Sequence, residues 1–331
     1  MSLFLTTLNQ MGILALFVIV GFTMAKLKLL PENSNKTLSR LENNVFLPAL
    51  ILYTFIENFN MAALTDSWKI LLFSLITELI VIPIAFFSSR LASKDGFIRK
   101  MYTYGLSFSN FGFMGNAVVY SLNPEIYQEY IMFTLPLWTL IYTWAVPSLL
   151  TERDTAVKNE RSSLSDLLCR LKLLLNPMFV APVIGAIIGI SGLGEALLAL
   201  NGGKGIFVTQ VVKTLGDCMS PIAMIITGIT FAQIDIKKVL RKGSIYTVTV
   251  LRLLVLPLAI GGAAVLISNF IAPIPSVIFK CLIFSLSMPL GLNTIIIPAS
   301  YGKDTSVPAG MALISHVLSL ATIPLIVWIF M

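Results

Sequence analysis

Two short segments carry most of the usable polar chemistry in an otherwise apolar chain. Ser109-Asn110-Phe111-Gly112-Phe113-Met114-Gly115-Asn116 and Met288-Pro289-Leu290-Gly291-Leu292-Asn293 each interrupt a long hydrophobic run. Glycine permits unusual dihedrals and close backbone approach, and proline removes an intrahelical hydrogen bond, so both segments are expected to unwind. A helix that restarts after such a break presents free N–H groups and the positive end of its dipole, which makes a cradle for a carboxylate. Asn110, Asn116 and Asn293 add neutral donors and acceptors without permanent charge, with Ser107, Ser109 and Ser287 as second choices. The candidate binding set is therefore Asn110, Gly112, Gly115, Asn116, Pro289, Gly291 and Asn293. The competing reading, glycine as a packing contact and asparagine as interhelical glue, applies to either motif taken alone.

Other reactive groups are few. Glu78 and Arg252 lie inside hydrophobic runs, where an ion costs at least about 2.5 kcal/mol unless it is paired or hydrated, so they are expected either to neutralise one another or to serve coupling. Lys213 and Asp217 are spaced for an ion pair along one helix face. His316 is the single histidine and has no partners for a metal centre; an interhelical hydrogen bond is the favoured role. Cys169, Cys218 and Cys281 show neither disulfide nor metal spacing. Gly202-Gly203-Lys204-Gly205 lacks the spacing of a nucleotide-binding loop. No paired aspartates, zinc motif or serine–histidine constellation suggests an enzyme, and neither a cofactor nor a metal is expected.

The elements that must position these residues are transmembrane helices. The chain is 56% hydrophobic and 12% charged over 331 residues, too apolar to cover a soluble surface. Runs near the 20 residues needed to cross a hydrocarbon core recur throughout. Ten spans are expected: Thr6 to Ala25, Leu38 to Phe55, Ser67 to Phe87, Met101 to Leu122, Tyr130 to Leu150, Leu173 to Ile190, Phe207 to Phe231, Ser244 to Ile267, Ser276 to Ser300 and Val307 to Phe330. Continuous apolar runs rather than alternation exclude an outer-membrane barrel.

Basic residues cluster after spans 1, 3, 5 and 7, including Lys26, Lys28, Arg90, Lys94, Arg153, Arg161, Lys237 and Lys238. The positive-inside rule then places the central linker in the cytoplasm and both termini outside. These loops account for the net charge of +7, which leaves a nucleic-acid partner without support.

The chain also repeats itself. Gly21 parallels Gly189 at an offset of 168, Pro48 parallels Pro221 at 173, Pro83 parallels Pro257 at 174 and Pro147 parallels Pro324 at 177. Glu78 and Arg252 are likewise 174 apart. Slowly rising offsets are what retained helices and changing loops produce. Five spans per copy thread the second copy from the opposite face. The expected fold is an all-α integral membrane protein of ten helices in two inverted five-helix repeats, residues 1–150 and 171–331, joined by a linker at 151–170. The broken fourth and ninth spans cross between the repeats.

The segments Ser109 to Gly115, Met288-Pro289 with Asn293, Leu47-Pro48-Ala49-Leu50 and Tyr301-Gly302-Lys303-Asp304 resemble the auxin efflux carrier family, which includes plant PIN auxin exporters and bacterial malate-type permeases. The resemblance spans nearly the whole chain. It implies a scaffold of spans 1, 2, 6 and 7, a transport unit of spans 3 to 5 and 8 to 10, and a substrate site at the crossover. Asn116 stands where many relatives have proline, and the absence of a long hydrophilic loop makes the chain similar to the compact bacterial members. The function implied is secondary transport of a small organic anion, a mono- or dicarboxylate such as malate, across a cell membrane. A sodium-coupled symporter of the bile-acid type is the nearest competing reading, followed by a channel. The partners expected besides the anion and the bilayer are a coupling proton or sodium ion and, in a homodimer, a second copy of the chain.

Overall fold

The computed structural model describes residues 3–59, 61–150, 177–203, 206–233 and 241–331. The linker expected at 151–170 lies outside the described residues, as do Cys169, Lys204, Lys237 and Lys238. Every regular element among the described residues is helical. In chain order these are α1 (Leu3–Lys26), α2 (Ser34–Leu41, a π-helical turn Glu42–Phe46 and Leu47–Asn58), α3 (Met61–Ala92), α4 (Gly96–Ser107) and α5 (a π turn Phe111–Gly115 continued by Asn116–Leu122). Then come α6 (Pro124–Leu150), α7 (Pro177–Ile190), α8 (Leu193–Gly203), α9 (Phe207–Asp217 and Met219–Gln233) and α10 (Gly243–Phe270). The chain ends with α11 (Ser276–Ser287), α12 (Asn293–Ser300) and α13 (Ser306–Phe330).

Among the described residues, five helices are long and apolar enough to cross a bilayer: Ser67–Ala92, Pro124–Leu150, Phe207–Gln233, Gly243–Phe270 and Ser306–Phe330. A sixth is reached if α7 and α8, bent by 84° at their junction, count as one span. Three of the other expected spans, the second, fourth and ninth, fall short of that criterion for a physical reason. The fourth and ninth are each cut into two helices of twelve residues or fewer, too short to cross singly, and α2 carries Glu42, Asn43 and Asn44 in its π turn. Large apolar side chains such as Leu72, Leu79, Phe87, Leu266 and Trp328 face outward, as a lipid-exposed surface requires.

Helix α8 was not expected, because residues 191–206 read as a loop. Gly192 adopts φ +76, which ends α7 and turns the chain, and Gly194 then lies against the Ile56 carbonyl, where a Cβ would sit 2.6 Å from the oxygen. A sharp turn into a short helix of leucine and alanine leaves no continuous apolar run for a sequence reading to detect.

Two helix groups are visible in the packing. α1 lies along the Met219–Gln233 half of α9, and α2 packs on α7 and on Phe207–Asp217. α3 packs on α4 and α6, and α11 on α10, α13 and α6. The first group is held by glycines that bring backbones together. A Cβ on Gly21 would lie 2.1 Å from the Ile225 carbonyl oxygen, and one on Gly228 would lie 2.0 Å from that of Val18. Gly189 makes the same kind of approach to Phe59 of α2. Because the clash is with backbone, Gly228→Ala is expected to destabilise the protein by about 1–3 kcal/mol, seen as a lower thermal midpoint and reduced monodisperse yield. An unchanged midpoint would show that the α1–α9 contact is looser than described.

Candidate functional site

The fourth span breaks where its sequence demands. Helix α4 starts at a cap in which Asp95 Oδ1 accepts from the Ile98 N–H at 2.9 Å, and it stops at Ser107 because Phe108 is extended, φ −110 and ψ 114. The ninth span breaks in the same manner. Helix α11 stops at Ser287, Met288 is extended at φ −69 and ψ 149, and Pro289 follows, a residue that disfavours a helical neighbour before it.

The two breaks lie against each other. Ser109 and Leu290 form an antiparallel bridge, the Asn110 N–H donates to the Pro289 carbonyl at 2.7 Å, and the Gly291 N–H donates to the Phe108 carbonyl at 3.3 Å. Ser109 Oγ donates to the Ser285 carbonyl at 2.8 Å. A Cβ at Gly291 would approach the Phe108 carbonyl oxygen to 3.0 Å, so this pairing depends on a residue without one. Backbone groups that unwinding would otherwise orphan in an apolar interior are thus satisfied mutually.

Four helix ends meet at this crossing: α4 and α11 arrive with their carbonyl ends, and α5 and α12 depart with their N–H ends. Arg252, 1% exposed in α10, occupies the carbonyl side. Its Nη1 donates to Leu106 O at 2.9 Å, its Nε to Met288 O at 3.3 Å, and its Nη2 to Ser285 O at 3.3 Å and Leu286 O at 3.2 Å. One guanidinium therefore caps the negative ends of two helices, leaving the positive ends of α5 and α12 to dominate the other side.

That side encloses a small cleft of about 210 Å3 lined by Tyr104, Asn110, Gly112, Trp138, Gly291 and Asn293, among others. The space that a water-sized body can occupy is about 10 Å3, room for a single water. The walls of the cleft are neutral: Asn293 Nδ2 donates to the Tyr104 hydroxyl at 3.0 Å, and Asn110 Nδ2 lies 3.0 Å from His316 Nε2. The Oδ1 atoms of Asn110 and Asn293 are buried without a hydrogen-bond partner. Gly112 allows the Trp138 ring against the backbone, since a Cβ there would lie 2.2 Å from Cζ2.

Of the residues singled out from the sequence, Asn110, Gly112, Gly291 and Asn293 come together around the cleft. Pro289 contributes its carbonyl to Asn110, and Gly115 backs onto the Tyr130 hydroxyl, 2.2 Å from where its Cβ would be. Asn116 opens the regular part of α5 beyond the lining, its Oδ1 also unpartnered. Glu78 is buried with an unpartnered Oε1; no contact ion pair joins it to Arg252, four of whose five N–H groups go to carbonyls, yet the two charges attract one another. Lys213 and Asp217 do pair, at 2.7 Å, along one face of α9. No group of histidine, cysteine and carboxylate side chains among the described residues has metal-binding spacing.

Sequence reasoning missed Tyr104 and Trp138, because aromatic residues in apolar runs read as core. It also missed Glu42, fully buried in the π turn of α2 with neither carboxylate oxygen partnered. Its charge within an apolar stretch and its neighbours Asn43 and Asn44 were the available signal.

Comparison with known proteins adds one finding. No curated protein matches the chain. A family described as "Membrane transport protein" matches residues 7–328, nearly the whole chain. The helix ends that converge at Arg252 and the mutually paired breaks thus lie in a chain that belongs to this membrane transport family, the auxin efflux carriers.

Proposed function

We propose that the protein is a secondary transporter of a small organic anion, a mono- or dicarboxylate of the malate type, bound at the crossing of the two breaks. The observation that carries the reading is the electrostatic asymmetry of that crossing: two helix N-termini face a neutral cleft while the opposing C-termini are capped by Arg252. A carboxylate placed there receives N–H donors in a low-dielectric site. The absence of acidic side chains from the cleft lining favours an anion over a cation.

The wider reading is ten spans in two inverted repeats, with α1, α2, α7 and α9 as scaffold and α3 to α6 and α10 to α13 as the moving unit. Its support is the pairing of helices: α1 crosses α9 at Gly21, and α7 crosses α2 at Gly189, its repeat equivalent. The contacts between the groups include apolar ones of α1 and α9 with α5 and α13, and polar ones at the Ser300 end of α12. Arg40 Nε donates to the Ser300 carbonyl at 3.1 Å and Asn43 Nδ2 to Ser300 Oγ at 3.3 Å. Beside them a polar vestibule of about 900 Å3, lined by Asn33, Lys36, Gln233, Lys303 and Asp304, opens at the far end of α12 from the crossing. Basic residues at that end favour a cytoplasmic position for it, with both termini outside.

Counterflow of labelled mono- and dicarboxylates in proteoliposomes, with sodium and pH gradients varied separately, tests the proposal. A saturable acid is expected. Asn110→Ala and Asn293→Ala should each lower its counterflow about tenfold or more, the effect of about 1.4 kcal/mol of lost interaction, with folded yield intact; Asn116→Ala, outside the lining, should do less. Wild-type counterflow in both of the first two variants would remove the cleft from the transport path.

A further inference from the structure

We propose that the charge on His316 decides which end of the Asn110 side-chain amide faces the crossover cleft, so that one proton and one carboxylate are bound together. This rests on the carboxylate reading above and adds the proton's binding site.

The hydrogen bonds fix the resting state. His316 Nδ1 lies 2.7 Å from the Ala312 carbonyl oxygen. A carbonyl only accepts, so Nδ1 carries the hydrogen, and in a neutral ring Nε2 then carries a lone pair. The Asn110 atom 3.0 Å from Nε2 must accordingly be the donor Nδ2. That leaves Asn110 Oδ1, buried and unpartnered, on a residue that lines the cleft. Asn293 is arranged alike, its Nδ2 spent on Tyr104 and its Oδ1 unpartnered. A carboxylate entering this state meets two amide oxygens, acceptors facing an acceptor.

Protonation reverses one of them. When Nε2 takes a proton from water, one N–H bond forms and both ring nitrogens become donors. Nε2–H then requires an acceptor, and a half-turn of the Asn110 amide supplies Oδ1 to it and turns the two Nδ2 hydrogens toward the cleft. The amide ends are nearly isosteric, so the turn needs no added volume.

The surroundings make the proton depend on the anion. His316 is walled by Val18 and Ile19 of α1, Met114 of α5, and Met224, Thr227 and Phe231 of α9. The crossover adds Leu292, and α13 itself adds Leu313, Val317 and Leu320. None of these side chains titrates, and no charged group among the described residues acts on the ring. An imidazolium there is costly alone and is offset when a carboxylate sits across the amide. Reciprocity then requires the proton to strengthen anion binding by the same factor.

The single histidine makes the test direct. Protein labelled with 15N-histidine in lipid nanodiscs is expected to show the neutral Nδ1–H tautomer at neutral pH. Saturation at the same pH with L-malate or malonate, whichever counterflow shows to be carried, should convert both ring nitrogens to the protonated form. Affinity for that acid should rise by up to about tenfold per unit fall in pH, and this slope should be flat in His316→Gln. An Nε2–H tautomer without acid, or an unchanged ring charge with a carried acid bound, overturns the proposal. Should neither acid be carried nor shift the ring signals, the carboxylate reading fails and the proton–anion linkage falls with it, while the tautomer arm still reports whether His316 holds Asn110 as described. The labelling experiment uses the unmodified chain, so misfolding of the variant does not blunt it.

Discussion

Arg252→Leu is expected to abolish transport and to destabilise the protein by about 3–5 kcal/mol, the range found when one partner of a buried charged network is removed. The guanidinium donates to four carbonyls at the ends of α4 and α11. Hydrogen bonds to a charged group contribute about 1.5–3 kcal/mol each, but bonds made by one side chain are not additive, so the total stays well below their sum. The larger part of the loss comes from leaving four carbonyls unpaired where neither water nor lipid serves them. Arg252→Lys should be intermediate: it keeps the charge that offsets two negative helix ends but loses the planar fork that reaches both. Thermal unfolding in nanodiscs measures the first effect and counterflow the second. A leucine variant with the wild-type midpoint would mean that the crossing is held by other contacts.

Gly112→Ala is expected to lower counterflow about a hundredfold, since misplacing a binding group by about 1 Å carries a penalty of that order, and to destabilise the fold by about 1–3 kcal/mol. The added methyl would lie 2.2 Å from Trp138 Cζ2 and 2.7 Å from Cη2. Trp138 cannot simply retreat. It stacks on Tyr142 at a 4° interplanar angle and 5.8 Å between centroids, and meets Phe111 edge-on at 5.0 Å. The strain therefore moves Trp138 into the cleft or pushes α5 out of register with Gly291. Adding Trp138→Phe, which removes the clashing ring edge, should restore part of the flux. Full activity in Gly112→Ala alone would show that the Trp138 face of the cleft is not used.

How far these features could be read from residues alone depended on whether their cause was local. The breaks at Phe108–Asn110 and Met288–Leu292 were legible because Pro289 acts on the backbone before it, while Gly112 and Gly291 mark where Trp138 and the Phe108 carbonyl come close. Asn110 and Asn293 followed, being polar residues with no other reason to occupy apolar runs. The role of Arg252 was not legible. Its partners lie 33 to 146 positions away in the chain, and only the folded crossing turns four orphaned carbonyls toward it. From sequence, its obvious partner was Glu78, at the equivalent place in the repeat, and the two charges do attract; the hydrogen bonds go to the carbonyls because α4 and α11 end there together. His316 and Asn110, 206 positions apart, are likewise joined only by tertiary packing. Helix α8 escaped for a different reason, since Gly192 bends the chain by a single dihedral that composition does not reveal.

At about 10 Å3 the cleft admits one water and no carboxylate. Under the proposed reading, loading has to widen the gap between the Asn110 and Asn293 side chains while keeping the backbone pairing that holds the crossing together.

The central claim is tested most directly by determining the structure of the protein with a carried acid bound. The acid's carboxylate is predicted between Asn110 and Asn293, beside the first N–H groups of α5 and α12, with Arg252 still capping α4 and α11. A carboxylate seated elsewhere, or fourth and ninth spans that run unbroken past each other with no cleft between them, would contradict it.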